Sequence, residues 1–202
     1  MTWHSTQADW FLAVNRLAQT TPLLHAPMAI YAEFGVALFA AALLAAWWRA
    51  RRQQDLRAMV AAVWAPAGAL LALALNQPLV DLVREPRPYS AFPHALLLVA
   101  RSQDYSSPSD HAVMAGAVAA GVLLTHRRLG VATAVAAVVM AFARVYVGAH
   151  FPLDTIIGLL IGAAVSYLGY LAVRRLLSAV VTGLTRTRLR SLLTAAERGV
   201  AR

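Results

Sequence analysis

The 202-residue chain contains no cysteine and no lysine, and only 13% of its residues are charged. Without cysteine, disulfides, thiolate metal sites and cysteine nucleophiles are excluded, and the redox compartment cannot be read from the chain. Without lysine, the formal net charge of +9 is carried by arginine alone. The N-terminus lacks a basic stretch leading into an apolar run, so residues 1–25 do not read as a cleaved signal peptide. Little charge beside 60% hydrophobic residues and a mean hydropathy of +0.60 excludes an ordinary soluble domain and makes a bilayer the natural solvent.

A helix that crosses ~30 Å of hydrocarbon needs about 20 residues at 1.5 Å each. Four uncharged or nearly uncharged runs come close: Met28–Trp48, interrupted only by Glu33; Ala58–Val80; Leu129–Ala149, interrupted only by Arg144; and Thr155–Val173. A fifth, Ala112–Thr125, has only 14 residues, and is read as a span whose polar N-terminal neighbours begin the helix below the headgroup level. Residues 7–24 mix apolar and polar positions at helical spacing, the pattern of an amphipathic helix lying on the membrane surface. The short run His94–Ala100 is assigned to a longer outer loop. With no internal repeat and no low-complexity linker, the expectation is one all-α domain over residues 1–202. It is an integral membrane bundle of about five transmembrane helices, with an N-terminal surface helix over 1–26, a core over 28–175 and a basic cytoplasmic tail over 176–202.

Short cytoplasmic loops carry an excess of arginine and lysine. Arg49, Arg51, Arg52 and Arg57 follow the first span, Arg127 and Arg128 follow the third, and Arg174, Arg175, Arg186, Arg188, Arg190, Arg198 and Arg202 follow the last. With five spans these fall on one side, which puts the N-terminus outside and the C-terminus in the cytoplasm. Topology thus absorbs most of the positive charge, and a nucleic-acid partner is not expected. Arg16, Arg84, Arg87, Arg101 and Arg144 remain, all on or near the outer side, where the topology rule gives no reason for them.

Three polar clusters share that outer level: Arg84–Tyr89, Ser107–His111 and Arg144–Asp154. Guanidinium groups grip phosphate oxygens, a hydroxyl at a helix start donates to them, and imidazoles serve as nucleophile and acid. Arg144 lies inside an apolar run, where an arginine costs ~2.5–3.5 kcal/mol at mid-bilayer, so it either snorkels outward or has a partner. His150 and Asp154 stand four residues apart with Pro152 between them at a helix start. One reading is an imidazole held by a carboxylate with its other nitrogen free to attack; the bland one is an interfacial histidine beside a helix-start carboxylate. His111 follows Ser109, which caps a helix in either reading, and a protonated His111 is placed to donate to a leaving oxygen. Glu33 is a costly acid in the first span, near enough to the outer edge to be solvated or to pair with an outer arginine. The set needs no metal and no cofactor.

These residues resemble the type 2 phosphatidic-acid phosphatase superfamily. Its signature is an Arg-Pro element, a Pro-Ser-Gly-His element, and an arginine followed by histidine and aspartate at fixed spacing. Here they read Arg87-Pro88, Pro108-Ser109-Asp110-His111, and Arg144 followed by His150 and Asp154. The motifs cover residues 76 to 175. The resemblance implies that His150 attacks phosphorus, Asp154 orients it, His111 protonates the leaving group, and Arg87, Ser109 and Arg144 bind phosphate oxygens. Two positions depart from the pattern: Val80 stands where many members carry lysine, with Arg84 assigned to supply that charge, and Asp110 replaces glycine. The Pro-Ser-Asp-His form looks like the bacitracin-resistance branch, the bacterial undecaprenyl-diphosphate phosphatases. By the same resemblance the chain would be a metal-independent membrane phosphatase of the bacterial plasma membrane. It would convert a polyprenyl diphosphate to the monophosphate on the extracytoplasmic face, recycling the cell-wall lipid carrier. Phosphatidylglycerol phosphate, phosphatidic acid or a prenyl-phosphosugar phosphate are the alternative substrates. A non-catalytic resistance or transport component is the alternative of a different class.

Overall fold

The computed structural model describes residues 3–194, which leaves Arg198 and Arg202 of the expected tail outside the described residues. Helices follow one another with no strand among the described residues. They are α1 (Trp3–Thr20), α2 (His25–Phe34), α3 (Val36–Gln53), α4 (Leu56–Val83), α5 (Pro88–Ala91), α6 (Asp110–Thr125), α7 (Arg127–Tyr146), α8 (Pro152–Leu184) and α9 (Arg190–Leu193), with a 3-10 turn over Pro22–Leu24. Three helices, α4, α7 and α8, are long and apolar enough to cross a membrane, and the bent pair α2–α3, if counted as one broken span, brings the number to four. The expected uninterrupted span from Met28 to Trp48 is therefore broken, by 55°, at Gly35. A Cβ on Gly35 would lie 2.4 Å from the Tyr31 carbonyl oxygen and 2.6 Å from Met140 Cε, and the backbone contact is the one that favours glycine at the elbow.

Leu70, Leu160 and Leu168 are 68%, 65% and 60% exposed, whereas the interior is built largely of alanine, glycine and valine. Large apolar side chains outside and small ones inside suit a protein whose solvent is hydrocarbon, where close backbone approach takes over from hydrophobic exclusion. The centre is α6, which packs against α8, α4, α7 and α3. Its sequence, DHAVMAGAVAAGVLLT, keeps nearly every position small. A Cβ on Gly116 would meet the Leu159 carbonyl at 2.3 Å, one on Gly162 the Val113 carbonyl at 1.9 Å, and one on Gly121 the Ala65 Cβ at 2.6 Å. At 16 residues α6 is shorter than its neighbours. It starts level with Asn76, whose amide donates to the Pro108 carbonyl at 3.1 Å. Asn76 lies seven residues before the end of α4 at Val83, so the mouth of α6 is recessed by about 10 Å.

Two ends of the bundle differ in chemistry. At one, Arg49 reaches His126 at 3.0 Å, Arg51 and Arg52 lie over the Trp47 and Trp48 rings, and Trp47 and Arg51 hold the backbone of Leu192 and Ser191. The last helix of the bundle, α8, runs on through Arg174 and Arg175 to Leu184, so the expected tail begins within it, and Val181 is buried beside Leu193. Two charges at the membrane edge end a hydropathy run without ending a helix. At the other end, α1 does more than lie on a surface: Phe11 is fully buried between Phe92 and Phe151, and Asn15 clamps the Leu96 backbone through two hydrogen bonds of 2.9 and 3.0 Å. The helix thereby fixes the irregular stretch between α5 and α6 above the recess.

Candidate active site

The recess is a cavity of about 500 Å³ lined by Arg87, His111, Arg144 and His150, together with Glu33, Gln77, Asp110 and Tyr105. Four elements deliver the cationic and imidazole groups. Arg87 precedes Pro88 at the first turn of α5, and its Nε donates to the Asp104 carbonyl at 3.0 Å. Arg144 projects from the last turn of α7, 9% exposed, with Nη1 donating to the Ala32 carbonyl at 3.2 Å. That bond lies at the α2–α3 elbow, so the broken span supplies a backbone acceptor for the arginine in the membrane. His111 opens α6.

His150 sits on a tight turn between α7 and α8. The turn needs Gly148, whose φ of +82° is left-handed and whose missing Cβ leaves room for the Leu96 carbonyl. The imidazole Nδ1 lies 2.8 Å from the Ser106 carbonyl, an acceptor only, so Nδ1 carries the proton. Nε2 is left with its lone pair, and both Arg87 (3.1 Å) and Arg144 (3.4 Å) donate to it. Burial pushes the imidazole below the usual histidine range; Asp154 pulls the other way, and the two arginines add to the lowering. The result is a neutral ring with one free nitrogen between two guanidinium groups.

Asp154 is not bonded directly to that ring as the sequence suggested. Its Oδ2 is 3.7 Å from Nδ1 and accepts instead from the Ser106 hydroxyl and, at 2.9 Å, from the Phe151 amide. Asp154 thus caps the start of α8, the helix-start reading, while it sits beside the histidine without bonding it. Ser109 is fully buried at the head of α6, and its hydroxyl and the Nε of Arg144 have no hydrogen-bond partner among the described residues. Buried donors normally find partners; Arg144 lines the cavity, whereas Ser109 stands just behind its lining residues Pro108 and Asp110.

One assignment changes. Arg84 does not line the cavity: it ends α4 in a left-handed conformation, φ 51°, and its Nε turns back to the Asp81 carbonyl at 2.9 Å. Asp110, which replaces the glycine of the pattern, is held by the Asn76 and Gln77 amides at 2.8 and 3.1 Å. Glu33 lines the cavity near Arg144. Sequence reasoning missed Ser106, Asn76 and Tyr89. The Tyr89 hydroxyl both donates to and accepts from the Ser102 backbone, bracing the loop that carries Asp104. In the sequence Tyr89 stands only as the aromatic residue that follows Pro86-Arg87-Pro88.

Fold and pocket together define a class: a multi-pass helical membrane protein that gathers an imidazole lone pair, two guanidinium groups and a helix N-terminus at one cavity. The chain belongs to the PAP2 superfamily, whose sequence model matches residues 61–178. Within the class it is accordingly a hydrolase of phosphate esters or anhydrides. It is 28% identical over 159 residues to undecaprenyl-diphosphatase BcrC of Bacillus subtilis (strain 168), which covers 78% of this chain and 79% of that protein. The bacitracin transport permease protein BcrC of Bacillus licheniformis is 26% identical over 162 residues, 80% of this chain and 78% of its own. An undecaprenyl-diphosphatase of Sulfolobus acidocaldarius is 34% identical over 100 residues, 49% of this chain and 48% of its own. Among solved structures, the crystal structure of Aquifex aeolicus LpxE matches with a TM-score of 0.58 at 24% identity, over 78% of this chain and 92% of that one, a likeness of fold.

Proposed function

We propose that this chain hydrolyses a polyprenyl diphosphate such as undecaprenyl diphosphate to the monophosphate, on the extracytoplasmic face of the bacterial plasma membrane. The observation that carries the reading is the Nε2 lone pair of His150, aimed into the cavity between Arg87 and Arg144. Nε2 attacks the terminal phosphorus, the bond from that phosphorus to the bridging oxygen breaks, and His111 gives its proton to the leaving lipid monophosphate. Arg87, Arg144 and the Ser109 hydroxyl take the equatorial oxygens, which draws the guanidinium groups off Nε2 as phosphate arrives. A water molecule activated by His111 then attacks the phosphohistidine, the P–N bond breaks, and inorganic phosphate leaves. The recess of about 10 Å suits a headgroup that dips below the outer edge while its apolar tail stays among the helices. The arginine-rich opposite end supports a cytoplasmic C-terminus and an outward site. The relatives named as undecaprenyl-diphosphatases support the substrate.

Purified protein without added divalent metal should release phosphate from undecaprenyl diphosphate faster than from phosphatidylglycerol phosphate, phosphatidic acid or a prenyl-phosphosugar phosphate. A strict Mg²⁺ requirement, or preference for one of the other lipids, would overturn the mechanism or the substrate respectively.

A further inference from the structure

We infer that the Ser106 hydroxyl is a positioning group that ties Asp154 to the nucleophilic histidine and holds the carboxylate away from Nδ1; the inference rests on the reading of His150 as nucleophile. Ser106 is completely buried in the irregular segment before α6, and its backbone amide is anchored on the Glu85 carbonyl at 2.8 Å. From that fixed point its carbonyl and its hydroxyl do different jobs, although the hydroxyl also lies 3.5 Å from Nδ1, at the limit of a hydrogen bond. Its carbonyl accepts the His150 Nδ1–H at 2.8 Å, which sets the tautomer. Its hydroxyl donates to Asp154 Oδ2, the oxygen that otherwise lies 3.7 Å from the same Nδ1. The carboxylate thus hydrogen-bonds the serine, and reaches the ring only across 3.7 Å.

This arrangement has a chemical consequence. A carboxylate bonded directly to Nδ1 stabilises imidazolium and draws a proton onto the ring, which removes the lone pair the reaction uses. With Oδ2 occupied by the Ser106 hydroxyl and the Phe151 amide, less of its charge is available to the ring. The other charged or titratable groups facing His150 are Arg87 beside α5, Arg144 on α7 and His111 on α6, and the two arginines favour the neutral ring. Glu33, Asp81, Asp104 and Asp110 line the same cavity, but Asp154 is the acidic group that raises the ring's proton affinity against the arginines, and Ser106 restrains it.

Ser106→Ala separates the two contacts, because alanine keeps the carbonyl and loses the hydroxyl. Freed of that donor, Asp154 approaches Nδ1 and the ring holds its proton to higher pH. The acid limb of kcat/KM should rise by about half to one pH unit. KM should change little, while kcat falls on the order of tenfold as the ring loses its fixed orientation. In an Asp154→Asn background the same substitution should add no further shift, since the hydroxyl acts through the carboxylate. Ser106→Cys, which fills the same space with a weak donor, should behave as alanine does and serves if the alanine variant is poorly folded. An acid limb unmoved in a folded Ser106→Ala or Ser106→Cys protein overturns the inference, as does a shift that persists undiminished without the Asp154 carboxylate. Wild-type turnover in His150→Ala would instead overturn the nucleophile assignment beneath it.

Discussion

Replacing Gly162 by alanine should disable the enzyme from a position that touches no substrate. Gly162 of α8 faces α6, and a Cβ there would lie 1.9 Å from the Val113 carbonyl and 2.9 Å from the Ala117 amide nitrogen. Both are backbone atoms, so no side-chain rotation relieves the clash. Restoring an ordinary contact requires the helices to part by about 1.5 Å from that 1.9 Å starting distance. Val113 lies one turn beyond Ser109, whose amide donates to the Asp154 carbonyl at 3.1 Å and joins the heads of the two helices. Parting them moves Ser109 and His111 away from His150 and Asp154, and about 1 Å of misplacement costs on the order of a hundredfold in rate. Overpacking destabilises by about 1–3 kcal/mol, against which the better helix propensity of alanine returns less than about 1 kcal/mol. Gly183→Ala on the same helix is the control, because nothing lies within 4 Å of its added Cβ. It should leave activity unchanged and stability equal or slightly higher. Phosphate release from a polyprenyl diphosphate and thermal unfolding in detergent measure both effects. A folded Gly162→Ala protein with kcat/KM within about twofold of wild type would refute the claim that close packing sets the site.

Arg84→Ala should retain near-wild-type kcat/KM because its guanidinium turns back to α4, whereas Arg87→Ala should lose about 10²–10³-fold in phosphate release; equal losses would contradict the geometry. The acid limb of kcat/KM should fall below the ordinary histidine value of about 6.5, because burial favours neutral His150, and a limb above that value would count against this residue. The same shift has a stability consequence. Since the folded histidine resists protonation, the unfolded chain binds the proton first as pH drops below about 6.5, and stability declines from there toward acid. Thermal unfolding at stepped pH measures it, and a His150→Gln protein should show a weaker acid decline.

The helices were legible where apolar runs were long, and the site where its residues fell on a fixed spacing. Arg144, His150 and Asp154 share one stretch of chain, and the Arg-Pro and Ser-Asp-His elements each sit at a helix start, so their types and spacing carried chemistry directly. What escaped the sequence depended on direction. The bend at Gly35 is invisible to a hydropathy window, which sees composition and not the angle at which a helix meets Met140. Charge alone promoted Arg84, yet the left-handed cap that ends α4 turns that side chain away. Ser106 gave no signal, because a serine in an irregular segment has no periodicity, and its partner His150 is 44 residues distant. Its role exists only in three dimensions, in the meeting of a carbonyl, a hydroxyl and a carboxylate around one imidazole.

The central claim is that one phosphorus atom binds covalently to Nε2 of His150 while Arg87, Arg144 and His111 surround it. The most direct test is a single turnover with a polyprenyl diphosphate labelled in its terminal phosphate, quenched in base, and followed by peptide mapping. The label should travel to the peptide that contains His150, and His150→Ala should insert in the membrane yet neither take up label nor release phosphate. Label on His111 or elsewhere, or phosphate release by the His150→Ala protein at the wild-type rate, would contradict the account.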